Sequence, residues 1–253
     1  MKCSLIFELK ALFKNIMIDI SKRKVLSFDL EVAAFDFESY DEETQTYLTK
    51  FAKDEEEKKQ AIENLVFNPF TSQLVAIGLL DLNKDKGCVL VNAEGTDEIL
   101  SENENINYIC KSEKEILELF WKIIKENGYN LFITFNGREF DCPFIMLRSF
   151  QLGIEPSKNL MAGSDFNFRE YHIDMLKELT FNRHSPTGAR RKFSLDFYCK
   201  QLGIESPKAN GVKGDMVAEL FKNKEFKVIA DYCIGDVFAT AELFNKWNSI
   251  LNI

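Results

Sequence analysis

Apolar and polar side chains alternate along residues 24–32 of this 253-residue chain, a period typical of a half-buried β-strand. One face of the predicted strand is apolar, with Leu26, Phe28, Leu30 and Val32. The other face carries Asp29 and Glu31, whose Cα atoms are about 6 to 7 Å apart in an extended chain. Two carboxylates that close raise each other's pKa. The pair therefore calls for a bound cation, a basic partner or a water-exposed setting.

Four further segments have the apolar character of strands: residues 73–82, 88–93, 130–135 and 171–175. Ser112 and Glu115 form a capping box that begins a helix, and Gly128 ends it. Further helices are predicted from Ser194, Asp215 and Glu225. The order β-β-β-α-β-α predicts an α/β fold with a central mixed sheet, antiparallel in its first three strands and flanked by helices.

The chain has no internal repeat and no long linker, so we expect a single domain over residues 1–253. Residues 1–23 are predicted as an extra N-terminal helix. Its amphipathic pattern favours packing against the domain over a membrane or partner role. Residues 36–70 are predicted as an acidic insertion, mainly a solvated helical one. A lid over the functional site is the alternative.

Charge and hydropathy narrow the class of protein. The net charge of −8, from 32 basic and 40 acidic residues, argues against a protein that coats duplex nucleic acid, but it does not exclude an enzyme acting on a short strand. Residues 183–192 are locally basic and contain no acid. The N-terminus lacks the apolar stretch of a signal peptide, and no apolar run reaches the roughly 18 residues of a membrane span. These features predict a cytoplasmic location without membrane association.

Asp141 follows the strand predicted at residues 130–135. The chain turns through Asn136 and Gly137, and Pro143 fits the first turn of the helix that follows. Ligands of open α/β sheets gather at the carboxyl ends of strands, where this turn lies. By itself, however, the position of Asp141 favours a simple helix-capping role.

Tyr232 and Asp236 are four residues apart, and so share one face of the C-terminal helix. Alone such a pair is ordinary. Together with Asp29, Glu31 and Asp141, Asp236 would make a cluster of four carboxylates at one end of the sheet. Such a cluster needs cations, and ligands that are all oxygen select hard ions such as Mg²⁺ or Mn²⁺. With only two histidines in the chain, a histidine-rich zinc site is not expected.

Three segments resemble, in order, the three exonuclease motifs of the DEDD superfamily. They are residues 28–31 (FDLE), 136–144 (NGREFDCPF) and 232–237 (YCIGDV). The resemblance spans roughly residues 24–247. Within the superfamily, the chain most resembles the proofreading exonuclease domain of family B DNA polymerases and its stand-alone bacterial relatives. Tyr232, four residues before the last acid, matches the tyrosine branch of the superfamily.

The resemblance implies a ribonuclease H-like fold and stepwise 3′-to-5′ hydrolysis of nucleic acid with two divalent cations, Mg²⁺ or Mn²⁺. It implies that Asp29 bridges both ions and that Glu31 and Asp236 complete the site of the water-activating ion. Asp141 would help to hold the second ion through water, and Tyr232 would orient the attacking water.

Substrate contacts are predicted at Asn136 and Phe140, near the terminal nucleotide, and at Arg190 and Arg191, along the phosphates. A solvated surface loop is an equally weighted interpretation of the basic segment. Our leading hypothesis is an exonuclease acting on 3′ ends of single-stranded DNA. The alternatives are an exoribonuclease with the same site and, less favoured because all four acids and Tyr232 are intact, an inert nucleic-acid-binding module.

Overall fold

The structure is a computed structural model that describes residues 20–96, 99–163, 167–205 and 211–252. A short 3₁₀ turn, Ile20–Lys22, precedes the first strand. The N-terminal helix predicted over residues 1–23 otherwise lies outside the described residues.

Six strands form one mixed sheet. They are β1 (Val25–Ala34), β2 (Ser72–Asp81), β3 (Lys86–Asn92), β4 (Ile106–Lys111), β5 (Leu131–Thr134) and β6 (His172–Asp174). Their spatial order is β4-β3-β2-β1-β5-β6. The pairs β1–β2 and β2–β3 are antiparallel, whereas β3–β4, β1–β5 and β5–β6 are parallel. The predicted mixed sheet with three antiparallel strands at its start is confirmed.

Strand β4 was not predicted. Only Ile106 and Tyr108 are buried in it, because it lies at the edge of the sheet. Two alternating apolar positions within a polar segment are too short a pattern to identify a strand from sequence.

Eight α-helices lie within the described residues: α1 (Glu42–Thr49), α2 (Glu55–Glu63), α3 (Glu113–Asn127), α4 (Asp141–Gln151), α5 (Met175–Leu179), α6 (Leu195–Leu202), α7 (Val217–Lys222) and α8 (Phe226–Ile250). The capping box of Ser112 and Glu115 begins α3, and Gly128 ends it with a left-handed φ of 66°. Across the described part of the chain, no helix combines the length and hydropathy needed to cross a membrane.

The two faces of β1 contact different helices, as its alternation predicts. Leu26, Phe28 and Leu30 belong to a buried cluster with residues of α3 and α4. On the opposite face, the Sγ atom of Cys233 in α8 lies within 4.8 Å of carboxylate oxygens of Asp29 and Glu31. The acidic face of β1 is therefore covered by the C-terminal helix.

Helix α8 approaches the sheet most closely at Gly78 of β2, the residue paired with Asp29. A Cβ atom at Gly78 would lie 2.8 Å from Cγ2 of Val237 and 3.3 Å from the carbonyl oxygen of Cys233. The absence of a side chain at this position thus sets the distance between α8 and the acids of β1.

We expect Gly78→Ala to lower the free energy of unfolding by about 1 to 3 kcal/mol, because the added methyl group overpacks the contact between α8 and the sheet. Urea denaturation measures the change. Gly214→Ala is the matched control, since a Cβ there meets nothing nearer than 3.9 Å, the hydroxyl of Tyr232. Equal stability of the Gly78→Ala variant and the wild type would contradict this packing argument.

Candidate active site

Asp29 and Glu31 are adjacent on the face of β1 that contacts α8. Asp29 is half-buried and Glu31 is buried. The register between β1 and β2 shifts directly after Glu31, between Glu31 and Val32. Such irregularities bend a strand and redirect its side chains, and they are common beside active sites. The irregularity in the pairing of β1 and β2 therefore lies directly beside the acidic pair.

Asp141 reaches this pair from the other neighbour of β1. Strand β1 pairs with β5 only as far as Ser27 and Ile133. Three residues further along β1, the N–H of Leu30 donates to Oδ1 of Asp141 at 3.1 Å. Asp141 is buried, and it is the first residue of α4 rather than its N-cap. The helix-capping interpretation is thus wrong: the carboxylate binds the backbone of β1 instead.

The turn before Asp141 is held by a buried acid that sequence reasoning did not select. Asp174 accepts hydrogen bonds from the N–H groups of Asn136 at 2.9 Å and Arg138 at 3.1 Å. Asn136 has a left-handed φ of 66°. A Cβ at Gly137 would lie 2.3 Å from Oγ1 of Thr134. The sequence Asn-Gly and the acid at the end of β6 together fix where α4 begins.

Tyr232 and Asp236 are one turn apart on α8. The charge of the Asp236 carboxylate acts on the hydroxyl of Tyr232. Burial raises the pKa of Tyr232, and the negative charges of Asp236, Glu31 and Asp29 raise it further. The tyrosine is therefore a neutral phenol that faces three of the acids.

The four carboxylates influence one another. Burial raises the pKa of Asp29 well above its usual value, and the charges of Asp141, Asp236 and Glu31 add to the shift. The pKa of Glu31 is also raised, first by burial and then by the charges of Asp236 and Asp141. Burial raises the pKa of Asp141 to about 7, although hydrogen bonds from backbone N–H groups oppose the shift.

The carboxylate oxygens of these acids fit hard divalent cations as ligands. No cationic side chain among the described residues contributes to the pKa shifts of Asp29, Glu31 or Asp141. A bound cation would compensate the charge of this group of acids. Cys233 lies close to the pair on β1, but burial raises the pKa of its thiol well above the usual value, so it is neutral. The carboxylate oxygens remain as ligands, and such oxygens suit Mg²⁺ or Mn²⁺.

Two clefts open beside the acids. The first has a volume of about 630 Å³, and its wall includes Asn136, Lys192, Phe193, Tyr232 and Asp236. The second, of about 840 Å³, is lined by Leu30, Glu31, Val32, Phe140 and Asp215 together with residues 62–64, Val66 and Phe67. The two clefts share Phe67. Of the four acids, Asp236 thus lines the first cleft and Glu31 the second.

The predicted substrate-binding residues differ in their relation to the clefts. Asn136 lines the first cleft and accepts a hydrogen bond from Nζ of Lys192 at 3.1 Å. Phe140 lines the second cleft. The guanidinium of Arg191 lies 4.9 Å from the ring centre of Phe193, at the edge of the first cleft. Arg190 is exposed on the same loop and is not part of either wall.

Sequence reasoning missed three residues near the site: Asp174, Cys233 and Phe67. Asp174 carried one usable signal, an acid at the end of a predicted strand, like Asp141 itself. Cys233 and Phe67 carried none, because an isolated thiol and a phenylalanine after a long insertion are ordinary in sequence.

Comparisons with known proteins agree with this geometry. Residues 70–251 match a family model described as a predicted 3′-5′ exonuclease related to the exonuclease domain of PolB. The chain belongs to this family. The description of the family agrees with the exonuclease chemistry that the three sequence motifs predict.

Several relatives are polymerases. DNA polymerase 1 of Sulfolobus acidocaldarius is 28% identical over 144 residues, which are 53% of this chain and 16% of the relative. A DNA polymerase of Thermococcus litoralis is 24% identical over 148 residues, 53% of this chain and 8% of the relative. One from Pyrococcus glycovorans is 34% identical over 64 residues, 24% of this chain and 8% of the relative. The chain thus spans less than a fifth of the length of these relatives.

A solved structure shares the fold. The family B DNA polymerase from Pyrobaculum calidifontis superposes with a TM-score of 0.55 at 16% identity, over 89% of this chain and 24% of that one. This likeness is consistent with the predicted ribonuclease H-like fold.

The raised pKa values of the acids predict that the protein loses stability as pH rises. Divalent cations should restore part of that stability. Asp141 has a pKa of about 7 in the folded protein, above its ordinary 3.8. The folded state then binds the extra proton, so stability falls as pH rises between these two values. In EDTA we expect the free energy of unfolding to fall by a few kcal/mol from about pH 4 to about pH 8. Urea denaturation measures the fall, and Mg²⁺ or Mn²⁺ should restore more stability at the higher pH.

Asp141→Asn keeps an acceptor for the N–H of Leu30 and removes one charge, so its stability should fall less with pH. The matched control is Asp41→Asn. A backbone hydrogen bond from Thr44 lowers the pKa of Asp41, so this exposed acid has the opposite pH dependence. A wild-type stability that rises between about pH 4 and about pH 7 would contradict the electrostatic description of the site.

Proposed function

We propose that the protein removes nucleotides one at a time from the 3′ ends of single-stranded DNA. In this proposal two divalent cations, Mg²⁺ or Mn²⁺, are held by Asp29, Glu31, Asp141 and Asp236. One observation carries the proposal: carboxylates from three separate segments share one buried site, and each interacts with the charge of others. Such a cluster is suited to binding cations and is a costly arrangement without them.

The positions of the acids support distinct roles. Asp29 interacts with the charges of all three other acids, which suits a ligand shared by both ions. Glu31 and Asp236 lie on the side of α8 and Tyr232. Asp141 lies on the side of α4, anchored to β1 through Leu30. When bound, such cations polarise the phosphodiester and neutralise charge that develops on the leaving oxygen.

Tyr232 is proposed to orient the attacking water. Its raised pKa keeps the hydroxyl protonated, so it acts as a hydrogen-bonding group rather than as a base. Tyr232 is buried, so the surrounding protein restricts the direction of that hydroxyl. A fixed donor beside the acids holds a water molecule for in-line attack at little entropic cost.

The first cleft is the proposed path of the phosphates. Lys192 on its wall and Arg191 nearby supply local positive charge, next to the acids Asp196 and Asp236, in a protein of net charge −8. Local positive charge of this kind attracts a short single strand, whereas the acidic total disfavours extended duplex binding. DNA is favoured as substrate because the relatives compared above are named DNA polymerases.

The central test follows a 5′-labelled single-stranded DNA oligonucleotide and an RNA of equal sequence, with Mg²⁺ or Mn²⁺. We expect a DNA ladder that shortens from the 3′ end, and activity at background for Asp29→Asn and Asp236→Asn. Tyr232→Phe should reduce the rate by about 10- to 100-fold, as for other groups that orient a reactant rather than bind the metal.

Asp231→Asn is the matched control. This acid precedes Tyr232 on α8 but binds Tyr108 and Lys227, away from the cluster. Its activity should be close to that of the wild type. Internal cleavage, or full activity of Asp29→Asn, would overturn the proposed function. Shortening of the RNA alone would replace it with an exoribonuclease.

Neutralising the cleft wall should weaken substrate binding more than turnover. We expect Arg191→Gln and Lys192→Gln each to raise KM a few-fold with little change in kcat. Each should also reduce the slope of log KM against log salt by about 0.7, the value for one phosphate contact on a single strand. Lys122→Gln, on the exposed side of α3, is the control and should change neither quantity. A fall in kcat at constant KM would contradict a phosphate-binding role.

A further inference from the structure

A cavity lies at the edge of the sheet opposite the acids. It has a volume of about 350 Å³, and its wall includes Arg23, Asn130, Lys158 and Tyr171. Arg23 lies just before β1, and Asn130 and Tyr171 directly precede β5 and β6. Because these three strands are parallel, their N-terminal ends share one edge, whereas Asp141 follows the other end of β5. The cavity has no described lining residue in common with either cleft of the active site.

Two cationic side chains line this cavity. Arg23 donates hydrogen bonds to the carbonyl oxygens of Glu170 and, at 3.2 Å, of Asn130. Lys158 donates to the carbonyl oxygen of Tyr129 at 2.5 Å. Across the described part of the chain, neither cation forms an ion pair with a carboxylate. Neutral carbonyl groups thus hold both cations in place and leave their charges uncompensated.

The two charges are close together and partly removed from water. Burial lowers the pKa of Lys158, and the positive charge of Arg23 lowers it further. Nζ of Lys158 lies 5.7 Å from the ring centre of Phe132, which also lines the cavity. Nε of Arg23 is buried and has no hydrogen-bond partner among the described residues. A bound anion would compensate both charges, and its oxygen atoms are the acceptors that a guanidinium binds most strongly.

The segment that carries Lys158 has a fixed conformation. Oγ of Ser157 donates a hydrogen bond to the carbonyl oxygen of Trp121 at 2.8 Å. Oδ1 of Asn159 accepts one at 2.9 Å from the backbone N–H two residues later. Leu160 is buried. The wall is therefore formed before any ligand arrives, so little conformational entropy is lost on binding.

The rest of the wall suits an aromatic group that carries polar substituents. Tyr171 is 42% exposed, so part of its ring is available for stacking, and rings of this kind stack on nucleobases. Phe132 and Leu160 add apolar surface, and Asn130 and Asn159 add amide groups that donate and accept hydrogen bonds. The volume is at the lower end of the range for small-molecule sites, which suits a single nucleotide rather than a strand.

We propose that this cavity binds a mononucleotide, with its phosphate held by Arg23 and Lys158 and its base against the ring of Tyr171. The site is independent of the proposed function, because it shares no residue with the active site and needs no divalent cation. Inorganic phosphate and other phosphomonoesters carry the same anionic group. The contact between the base and Tyr171 distinguishes a mononucleotide from them.

Isothermal titration calorimetry in EDTA tests the proposal with dAMP, inorganic phosphate and deoxyadenosine. Without divalent cations the four acids repel a phosphate, so the heat reports on the cavity. We expect dAMP to bind about tenfold more tightly than either fragment, since a charged hydrogen bond and a stacked base each correspond to roughly a tenfold change. Arg23→Gln and Lys158→Gln should each weaken dAMP binding about tenfold. Tyr171→Ala should weaken dAMP binding by a similar factor and leave phosphate binding unchanged.

Lys24→Gln is the matched control. Lys24 follows Arg23 and carries the same charge, but it does not line the cavity, and its Nζ donates to the carbonyl oxygen of Asn127. This variant should bind dAMP like the wild type at about 0.15 M salt, which screens exposed charges. Thermal unfolding verifies that the variants fold, and Lys158→Gln decides the outcome if Arg23→Gln does not.

Three results would overturn the inference: no binding of dAMP, equal affinity for dAMP and inorganic phosphate, or the same loss in Lys24→Gln as in Lys158→Gln. Nuclease activity of the wild type with Mg²⁺ or Mn²⁺ is measured separately. An active enzyme that does not bind dAMP in EDTA overturns this inference alone, and an inactive protein that binds dAMP overturns the proposed function alone.

Discussion

Repulsion among buried carboxylates is the constraint on which this structure depends. Asp29, Glu31, Asp141 and Asp236 share a site in which burial and mutual charge raise the pKa values of the first three. A fold that only required stability would not collect acids in this way, since each unpaired buried charge opposes folding. Bound hard cations would make the arrangement favourable, and under the proposed function the same cations would supply the chemistry on a phosphodiester.

Separate elements hold the acids against their repulsion. The sheet fixes Asp29 and Glu31, and a hydrogen bond from Leu30 attaches Asp141 to the same strand. Asp174 determines where α4 begins, through two backbone N–H groups. Gly78 lets α8 pack tightly on the sheet. Each of these contacts positions an acid without neutralising it, which leaves the charge available for cations.

The surroundings of the acids suggest how a strand end is selected. Two clefts share Phe67: Lys192 and Asp236 line the first, and Glu31 lines the second. The acidic insertion is therefore more than a solvated appendage, because its last turn forms part of the wall beside Glu31. Under the proposed function its acidic helices disfavour a long duplex through their charge.

The sequence by itself determined the sheet of alternating strands, the capping box of α3, and the four acids with Tyr232, because these depend on local periodicity and on ordered motifs. It left open whether Asp141 capped its helix, missed β4, and gave no signal for Cys233 or Phe67. Asp174 carried a signal, an acid at the end of a predicted strand, that sequence reasoning did not use. Those features were decided only by the tertiary structure. They are contacts between residues far apart in the chain: hydrogen bonds between distant segments, the close approach of α8 at Gly78 and the meeting of two clefts. No local pattern in the sequence encodes such distances.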